Sequence, residues 1–87
     1  MSYGIHFRES VRRDMRKMER QVLRRLDAAI ARLADNPRPH GVLKIQGRDH
    51  TYRIVVGPYR VVYEVDDDAR TVTLWHVADR KDVYRGM

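Results

Sequence analysis

Cysteine is absent from the chain, which excludes a disulfide framework and any cysteine-based zinc site. Long apolar runs are also missing, and the N-terminal segment is polar by residue 8. We therefore expect no signal peptide, no membrane span and no membrane partner, and a cytoplasmic location. The histidines are not spaced as a ligand pair on a helix, so we predict no metal site and no cofactor.

Lysine is scarce, at 3 residues against 15 arginines, and the formal net charge is +6. A GC-rich genome would produce this bias without any function. Phosphate recognition would also select arginine, because its planar guanidinium binds phosphate bidentately. Both explanations stay open. The charge itself favours a polyanionic or acidic partner, and 87 residues predict a single domain, 1–87.

Neither glycine nor proline occurs between residues 10 and 35, where apolar residues recur every three or four positions. This spacing predicts an amphipathic helical region, and it allows either one long helix or a tight helical hairpin. Tyr3 to Phe7 alternates in polarity and predicts a first strand, and Ser10 is the predicted N-cap of the helix. The apolar stripe consists of Val11, Met15, Met18, Val22, Leu23, Leu26, Ala29, Ile30 and Leu33.

Short strands are predicted after residue 41: Val42 to Ile45, Thr51 to Val56, Tyr59 to Val65 and about Thr71 to Val77. Gly57-Pro58 predicts a two-residue hairpin connection, with glycine supplying the positive φ. The pattern of one strand, a helical region and consecutive strands indicates an α+β fold.

Arg53 and Arg60 interrupt two apolar strands of this hairpin. A two-residue turn places Val56 opposite Tyr59, which makes the two arginines diagonal neighbours on the sheet face that the helices leave uncovered. The same register puts Ile54 opposite Val61 and Tyr52 opposite Tyr63 on the helix-covered face.

A tail containing Arg80 and Tyr84 follows the last strand and could fold towards the two arginines. Such a cluster could neutralise a phosphorane-like transition state and stack on a base. Surface ion pairs of Arg53 and Arg60 with Glu64 and the nearby aspartates explain the pattern equally well. Spacing alone leaves both interpretations open.

Three sequence runs together resemble the RelE/ParE toxin superfamily. These are residues 52–65 (YRIVVGPYRVVYEV), residues 77–84 (VADRKDVY), and Leu33 with Asn36-Pro37 followed by residues 43–47 (LKIQG). The resemblance covers nearly the whole chain. It implies a first strand, a helical hairpin and then an antiparallel four-stranded sheet segment with the helices on one face.

The RelE branch implies a toxin of a type II toxin–antitoxin system. Such a toxin is a ribosome-dependent endoribonuclease that cuts mRNA in the ribosomal A site and inhibits translation. The implied chemistry is metal-free attack of a ribose 2′-hydroxyl on the adjacent phosphate. The implied partners are the ribosome, mRNA and an acidic RelB-like antitoxin, with promoter DNA bound only through the antitoxin complex.

Carried over by position, Arg60 would stabilise the scissile phosphate, Arg80 would assist the leaving 5′-oxygen, and Tyr84 would orient or stack on the substrate. Arg53 occupies a position where the family has a basic residue, and is a catalytic and substrate-binding candidate. Val55 departs from the family, whose best-known members carry a lysine there as the proposed general base.

The further substrate-binding candidates are Lys44, His50 and Lys81, and His50 is also a candidate base because imidazole titrates near neutral pH. Two alternative functions remain open. One is a ParE-like toxin that binds DNA gyrase without cleaving RNA, and the other is a catalytically degenerate member that binds only its antitoxin.

Overall fold

A computed structural model describes residues 2–79. Its elements, in chain order, are β1 (Gly4–Phe7), α1 (Glu9–Arg16), α2 (Arg20–Asp35), β2 (Leu43–Lys44), β3 (Thr51–Val56), β4 (Tyr59–Asp66) and β5 (Thr71–Asp79). The predicted α+β class is confirmed, and of the two helical alternatives the hairpin is present. The helices are separated where Lys17 ends α1 and Glu19 takes an extended conformation before α2.

The strands form one five-stranded sheet in the order β1-β5-β4-β3-β2. Four of them are antiparallel neighbours, as predicted, whereas β1 joins the edge of the sheet by pairing in parallel with β5. The sheet therefore has one more strand than the predicted four-stranded segment. Among residues 2–79, neither helix has the length and apolar character needed to cross a membrane.

The start of α1 differs from the sequence prediction. Ser10 lies inside the first turn, and Arg8 is the N-cap, with an extended ψ of 150°. The Arg8 carbonyl accepts hydrogen bonds from the backbone N–H groups of Val11 and Arg12, at 3.0 and 3.1 Å. The Arg8 N–H also donates to the Leu74 carbonyl on the neighbouring strand β5. Arg8 therefore joins the end of β1 directly to the start of α1.

The helices cover one face of the sheet, and the predicted apolar stripe supplies their side of the core. Val11, Met15, Leu26, Ile30 and Leu33 are buried, and the other stripe members pack against them. The sheet contributes the buried side chains of Ile54, Val61, Tyr63, Val65, Val72, Leu74 and Val77. We call this side the helix face of the sheet and the opposite side the far face.

The β3–β4 hairpin has the predicted register, with Val56 opposite Tyr59, Ile54 opposite Val61 and Tyr52 opposite Tyr63. Gly57 has the predicted positive φ, at 59°. A Cβ atom there would also lie 3.1 Å from the guanidinium of Arg25. The positive φ favours glycine at this turn, and any larger residue would also have to move the exposed end of the Arg25 side chain.

The β4–β5 pairing contains an irregularity. Val62 lies opposite His76 and Tyr63 opposite Leu74, so Trp75 is an extra residue on β5. This β-bulge lets Leu74 and Val77, three residues apart, both point to the helix face. It also places His76 on the far face beside Val62, which is fully buried.

Polar contacts join the loop after α2 to the rest of the sheet. Arg38 donates to both carboxylate oxygens of Asp67, at 2.7 and 3.2 Å, and to the Tyr52 hydroxyl at 3.0 Å. The Tyr3 hydroxyl donates to the same carboxylate at 2.7 Å. The bonds from Arg38 and Tyr3 lower the pKa of Asp67 to about 2.

Candidate functional site

Arg53 and Arg60 are brought together on the far face, as the hairpin register predicted. Arg53 lies opposite Val62 and Arg60 lies opposite Val55, so the arginines are diagonal neighbours across β3 and β4. Diagonal positions are separated by about 7–8 Å, which long side chains can span. Both side chains are half-buried. Two guanidinium groups at this spacing can hold one phosphate.

Val55 lies directly opposite Arg60, with half of its surface exposed (50%). Its isopropyl group neither accepts nor donates a proton. The strand position that the family resemblance associates with a lysine is therefore beside the arginine pair but carries no proton-transfer group. Any proton acceptor for chemistry at Arg60 must come from another residue or from a partner.

His76 is a candidate site residue that the sequence analysis did not single out. It pairs with Val62, and is therefore the diagonal neighbour of Arg60 on the β5 side, as Arg53 is on the β3 side. Its Nε2 atom is buried and has no hydrogen-bond partner in the part of the chain that the structure describes. The signal that could have revealed it is the spacing of Val72, Leu74 and Val77, since strict alternation cannot place all three on one face.

Trp75 is a further candidate that the sequence analysis did not single out. The guanidinium carbon of Arg8 lies 3.9 Å from the centroid of its ring, and that of Arg48 lies 5.9 Å away. Arg8 follows Phe7, whose side chain packs on the helix face, so alternation places Arg8 and the ring that it covers on the far face. The far face thus combines four arginines with the single tryptophan of the chain.

His50 lies near the other end of the hairpin from Arg60. Its carbonyl accepts a hydrogen bond from Val65, and its side chain lines a cavity of about 590 Å³ with Glu64 and the aspartates of the β4–β5 turn. The five residue steps from Arg60 to Val65 span about 16 Å of strand. The structure therefore does not bring His50 together with the arginine pair, and it surrounds this histidine with negative charge.

Lys44 lies nearer to the pair. With Arg53 it lines a groove of about 300 Å³ along β2, together with Leu43, Ile45 and Gln46. The remaining sequence-predicted site residues, Arg80, Lys81 and Tyr84, lie outside the described residues. Within residues 2–79, no three His, Asp or Glu side chains are placed to hold a metal ion.

The far face is therefore electrostatically divided. Arg53, Arg60, Arg8 and Arg48 make its arginine-rich part basic, and the carboxylates near His50 make one end acidic. Ion pairing of Arg53 and Arg60 with surface carboxylates was the alternative to a phosphate site. Arg60 makes a weak contact with the carbonyl of Tyr59 at 3.5 Å, and its directly opposed neighbours are Val55 and Ala78. A half-buried guanidinium with apolar neighbours suits an anionic ligand.

Comparisons with known proteins agree with this architecture. A family model described as the ParE toxin of the type II toxin-antitoxin system, parDE, matches residues 5–84. Toxin RelG of Mycobacterium tuberculosis is 30% identical over 86 residues, which cover 98% of this chain and 99% of that toxin.

Solved structures show the same fold. The isolated E. coli RelE toxin has a TM-score of 0.80 and 26% identity, covering 90% of this chain and 84% of that one. A chain of the RelE–RelB complex from Pyrococcus horikoshii has a TM-score of 0.82 at 24% identity, covering 92% and 97% respectively. The chain therefore belongs to the RelE/ParE toxin superfamily and is a toxin of a type II toxin–antitoxin system.

Proposed function

We propose that the chain is a ribosome-dependent endoribonuclease that cleaves mRNA in the ribosomal A site. The observation that carries this proposal is the placement of Arg53 and Arg60 as diagonal neighbours on the far face of the sheet. A nuclease needs such a pair at one phosphate. A protein that acts only by binding another protein has no need for it.

In the proposed reaction the 2′-oxygen of one ribose attacks the adjacent phosphorus, and the bond from phosphorus to the 5′-oxygen of the next nucleotide breaks. The products are a 2′,3′-cyclic phosphate and a free 5′-hydroxyl. Arg60 neutralises the charge that develops on the phosphate oxygens, and Arg53 holds the phosphate in place. Following the resemblance, Arg80 assists the leaving oxygen and Tyr84 orients the substrate.

Proton transfer completes the balance of this reaction. The 2′-hydroxyl gives up its proton as it attacks, and the 5′-oxygen gains one as it leaves. Val55 cannot accept a proton, and His50 lies towards the opposite end of the hairpin. His76 is placed diagonally to Arg60 and carries a buried ring nitrogen without a hydrogen-bond partner in the described chain. We propose His76 as the base, and its ring must rotate towards the far face for Nε2, which has no exposed surface here, to reach the 2′-hydroxyl.

The proposed physiological partner is an acidic RelB-like antitoxin. The E. coli RelE toxin, 26% identical to this chain, has been solved in the intact RelBE toxin–antitoxin complex. The formal charge of +6 suits an acidic binding partner. Binding of promoter DNA would then be a property of the toxin–antitoxin complex.

Induced expression in growing cells, followed by mapping of RNA 5′ ends, tests the proposed reaction. We expect translation to stop first, with new 5′ ends inside translated codons, and purified ribosomes should be required for cleavage in vitro. Cells that carry the antitoxin gene as well provide the control and should keep intact messages.

A second function has a specific observation in its favour, because the matching family model is the one for ParE toxins. A ParE-like toxin would bind DNA gyrase and leave RNA uncut. In the same expression experiment, arrest of DNA replication with intact messages would replace the nuclease proposal by this one. Absence of any growth defect would favour a degenerate member that binds only its antitoxin.

A further inference from the structure

The surroundings of Trp75 differ from those of a core tryptophan. The bulge in β5 inserts this residue between Leu74, which points to the helix face, and His76, which lies on the far face. The ring is partly exposed and lies beneath two exposed arginine side chains rather than beneath apolar ones. β-Bulges are frequent next to functional sites, where they redirect a side chain.

Arg8 and Arg48 come from distant parts of the chain. Arg8 ends β1, Arg48 belongs to the turn between β2 and β3, and their guanidinium carbons lie 3.9 and 5.9 Å from the centroid of the same ring. Neither arginine forms an ion pair with any residue from 2 to 79. Two cations that share one ring without a carboxylate repel each other, and an anion bound between them would relieve this repulsion.

The ring of Trp75 and the guanidinium groups of Arg8 and Arg48 are complementary to the base and phosphates of a nucleotide. Single-stranded RNA presents a flat base with a phosphate on each side. Aromatic rings flanked by arginines bind such strands by stacking the base and pairing with the phosphates. Arg8 makes the closer contact with the ring, at 3.9 Å, whereas the looser contact of Arg48, at 5.9 Å, is the one that a stacking base would replace.

We propose that Trp75, Arg8 and Arg48 form a nucleotide-binding subsite for single-stranded RNA, distinct from the arginine pair. A base stacks on the Trp75 ring and displaces Arg48, whose guanidinium then binds the neighbouring phosphate. The subsite lies three residues along β5 from Ala78, which pairs with Arg60, or about 10 Å away. It therefore binds a nucleotide near the cleaved phosphate and positions the strand. This inference rests on the proposed function, since it names a further part of the same RNA path.

Trp75 is the only tryptophan in the chain, so its fluorescence reports on this subsite alone. The purified full-length chain should be titrated at low ionic strength with a short single-stranded RNA oligonucleotide while the tryptophan emission is recorded. Stacking of a base should quench the emission saturably. Inorganic pyrophosphate, which has the charge but no base, should leave the emission nearly unchanged.

Variants test the contribution of each residue, with RNA binding measured by the anisotropy of a labelled oligonucleotide. Trp75→Leu should weaken binding about tenfold, the size expected for loss of one stacked base, and Trp75→Phe should weaken it less. Arg48→Ala should also weaken binding. Arg24→Ala is the matched control, because it removes the same charge from an exposed position on α2, the helix on the opposite side of the sheet. Thermal melting of each variant establishes that it is folded.

Several outcomes would overturn the subsite. One is RNA binding that leaves the Trp75 emission unchanged. Another is an RNA affinity of Trp75→Leu equal to that of the wild type, and a third is the absence of RNA binding at low ionic strength. Cleavage assays separate this inference from the proposed function. If Trp75→Leu cuts messages with unchanged KM, the subsite fails and the nuclease stands. If RNA quenches Trp75 but no message is ever cut, the nuclease fails and the subsite stands.

Discussion

Arg60 extends from β4, the central strand of the sheet, with β3 on one side and β5 on the other. Its diagonal neighbours on the far face are Arg53 and His76, and Val62 lies buried between those two. The side chain is thus oriented by a rigid element rather than by a loop. Substitution of a residue held in this way can change activity without changing the fold.

Arg60→Ala should lower the rate of mRNA cleavage by about 100-fold or more, because a positioned cation at the reacting phosphate is lost. The melting temperature should change little, since the guanidinium contributes only one weak contact to the described structure. Arg24→Ala, on the outer surface of α2, should cleave normally. Tyr84→Phe should reduce cleavage in the same direction. Full toxicity in both Arg60→Ala and Tyr84→Phe would place the site elsewhere.

His76→Gln should lower the cleavage rate by roughly 100-fold to 10,000-fold, the usual contribution of a general base. Glutamine fills a similar volume but cannot accept the proton, so cleavage should be lost while RNA binding and the melting temperature stay near the wild-type values. His6→Gln is the control, because His6 is exposed at the edge of the same sheet. His76→Gln cleavage at the wild-type rate would remove this residue from the mechanism.

The β4–β5 turn illustrates how an element tolerates local strain. Arg70 in this turn has a φ of 53°, in the left-handed region that favours glycine. The turn is otherwise well supported, because the Ala69 N–H donates to the Asp66 side chain and the Arg70 carbonyl accepts from Gly4. The backbone conformation is therefore fixed by its neighbours, although arginine is a poor residue for it.

Arg70→Gly should stabilise the protein by about 0.5–1 kcal/mol, because the steric cost of a Cβ atom at this φ disappears. Chemical denaturation of the toxin measures the free energy of unfolding. Arg70→Ala is the matched control, since it removes the guanidinium and keeps the Cβ atom. If the alanine variant gains as much stability as the glycine variant, charge rather than backbone strain is the cause.

Sequence patterns predicted the elements whose determinants are local. The helical stripe follows from a burial period of three to four residues, and the β3–β4 register follows from a two-residue turn with glycine at position 57. The break between the helices has no local sequence signal, because Lys17, Met18 and Glu19 are residue types that are common within helices. The parallel partner of β1 depends on a contact between distant segments, which a local pattern does not encode.

The positions of the candidate site residues were predictable to the same extent and for the same reason. Arg53 and Arg60 followed from the hairpin register. Trp75 and His76 did not, because the bulge in β5 changes which residues reach the far face. His50 was expected near the arginines on the basis of its place before β3, but strand length carries it towards the opposite end of the sheet.

At the scale of the whole molecule, Asp67 joins parts that are far apart in sequence. Its carboxylate accepts hydrogen bonds from Tyr3, just before β1, and from Arg38, after α2. The buried hydroxyl of Tyr63 donates to the Pro37 carbonyl at 2.7 Å and anchors the same loop from the core side. These hydrogen bonds connect the segment before β1 and the loop after α2 to the end of the sheet at which the β4–β5 turn lies.

Acid should weaken the hydrogen bonds of Asp67 over a defined pH range. The folded-state pKa of Asp67 is about 2, below the ordinary value of 3.8. Its stabilising effect is therefore fully present above about pH 4 and is lost as the pH falls through about 2. Melting temperatures measured across this window should fall less steeply for Asp67→Asn than for the wild type. Asp68→Asn, the exposed neighbour on the same turn, should keep the wild-type decline.

The parallel pairing of β1 with β5 also has a consequence for biosynthesis. Residues Gly4 to Phe7 pair with Thr71 to Leu74. Strand β1, which the ribosome makes first, therefore cannot pair until β5 has been made. Until β5 has been synthesised, β1 has no sheet to join and the central strand β4 lacks one of its two neighbours. The far face, whose arginine pair is flanked by β5, is therefore completed only after residues 71–79 have been synthesised. A nascent chain that ends before β5 therefore lacks the complete far face.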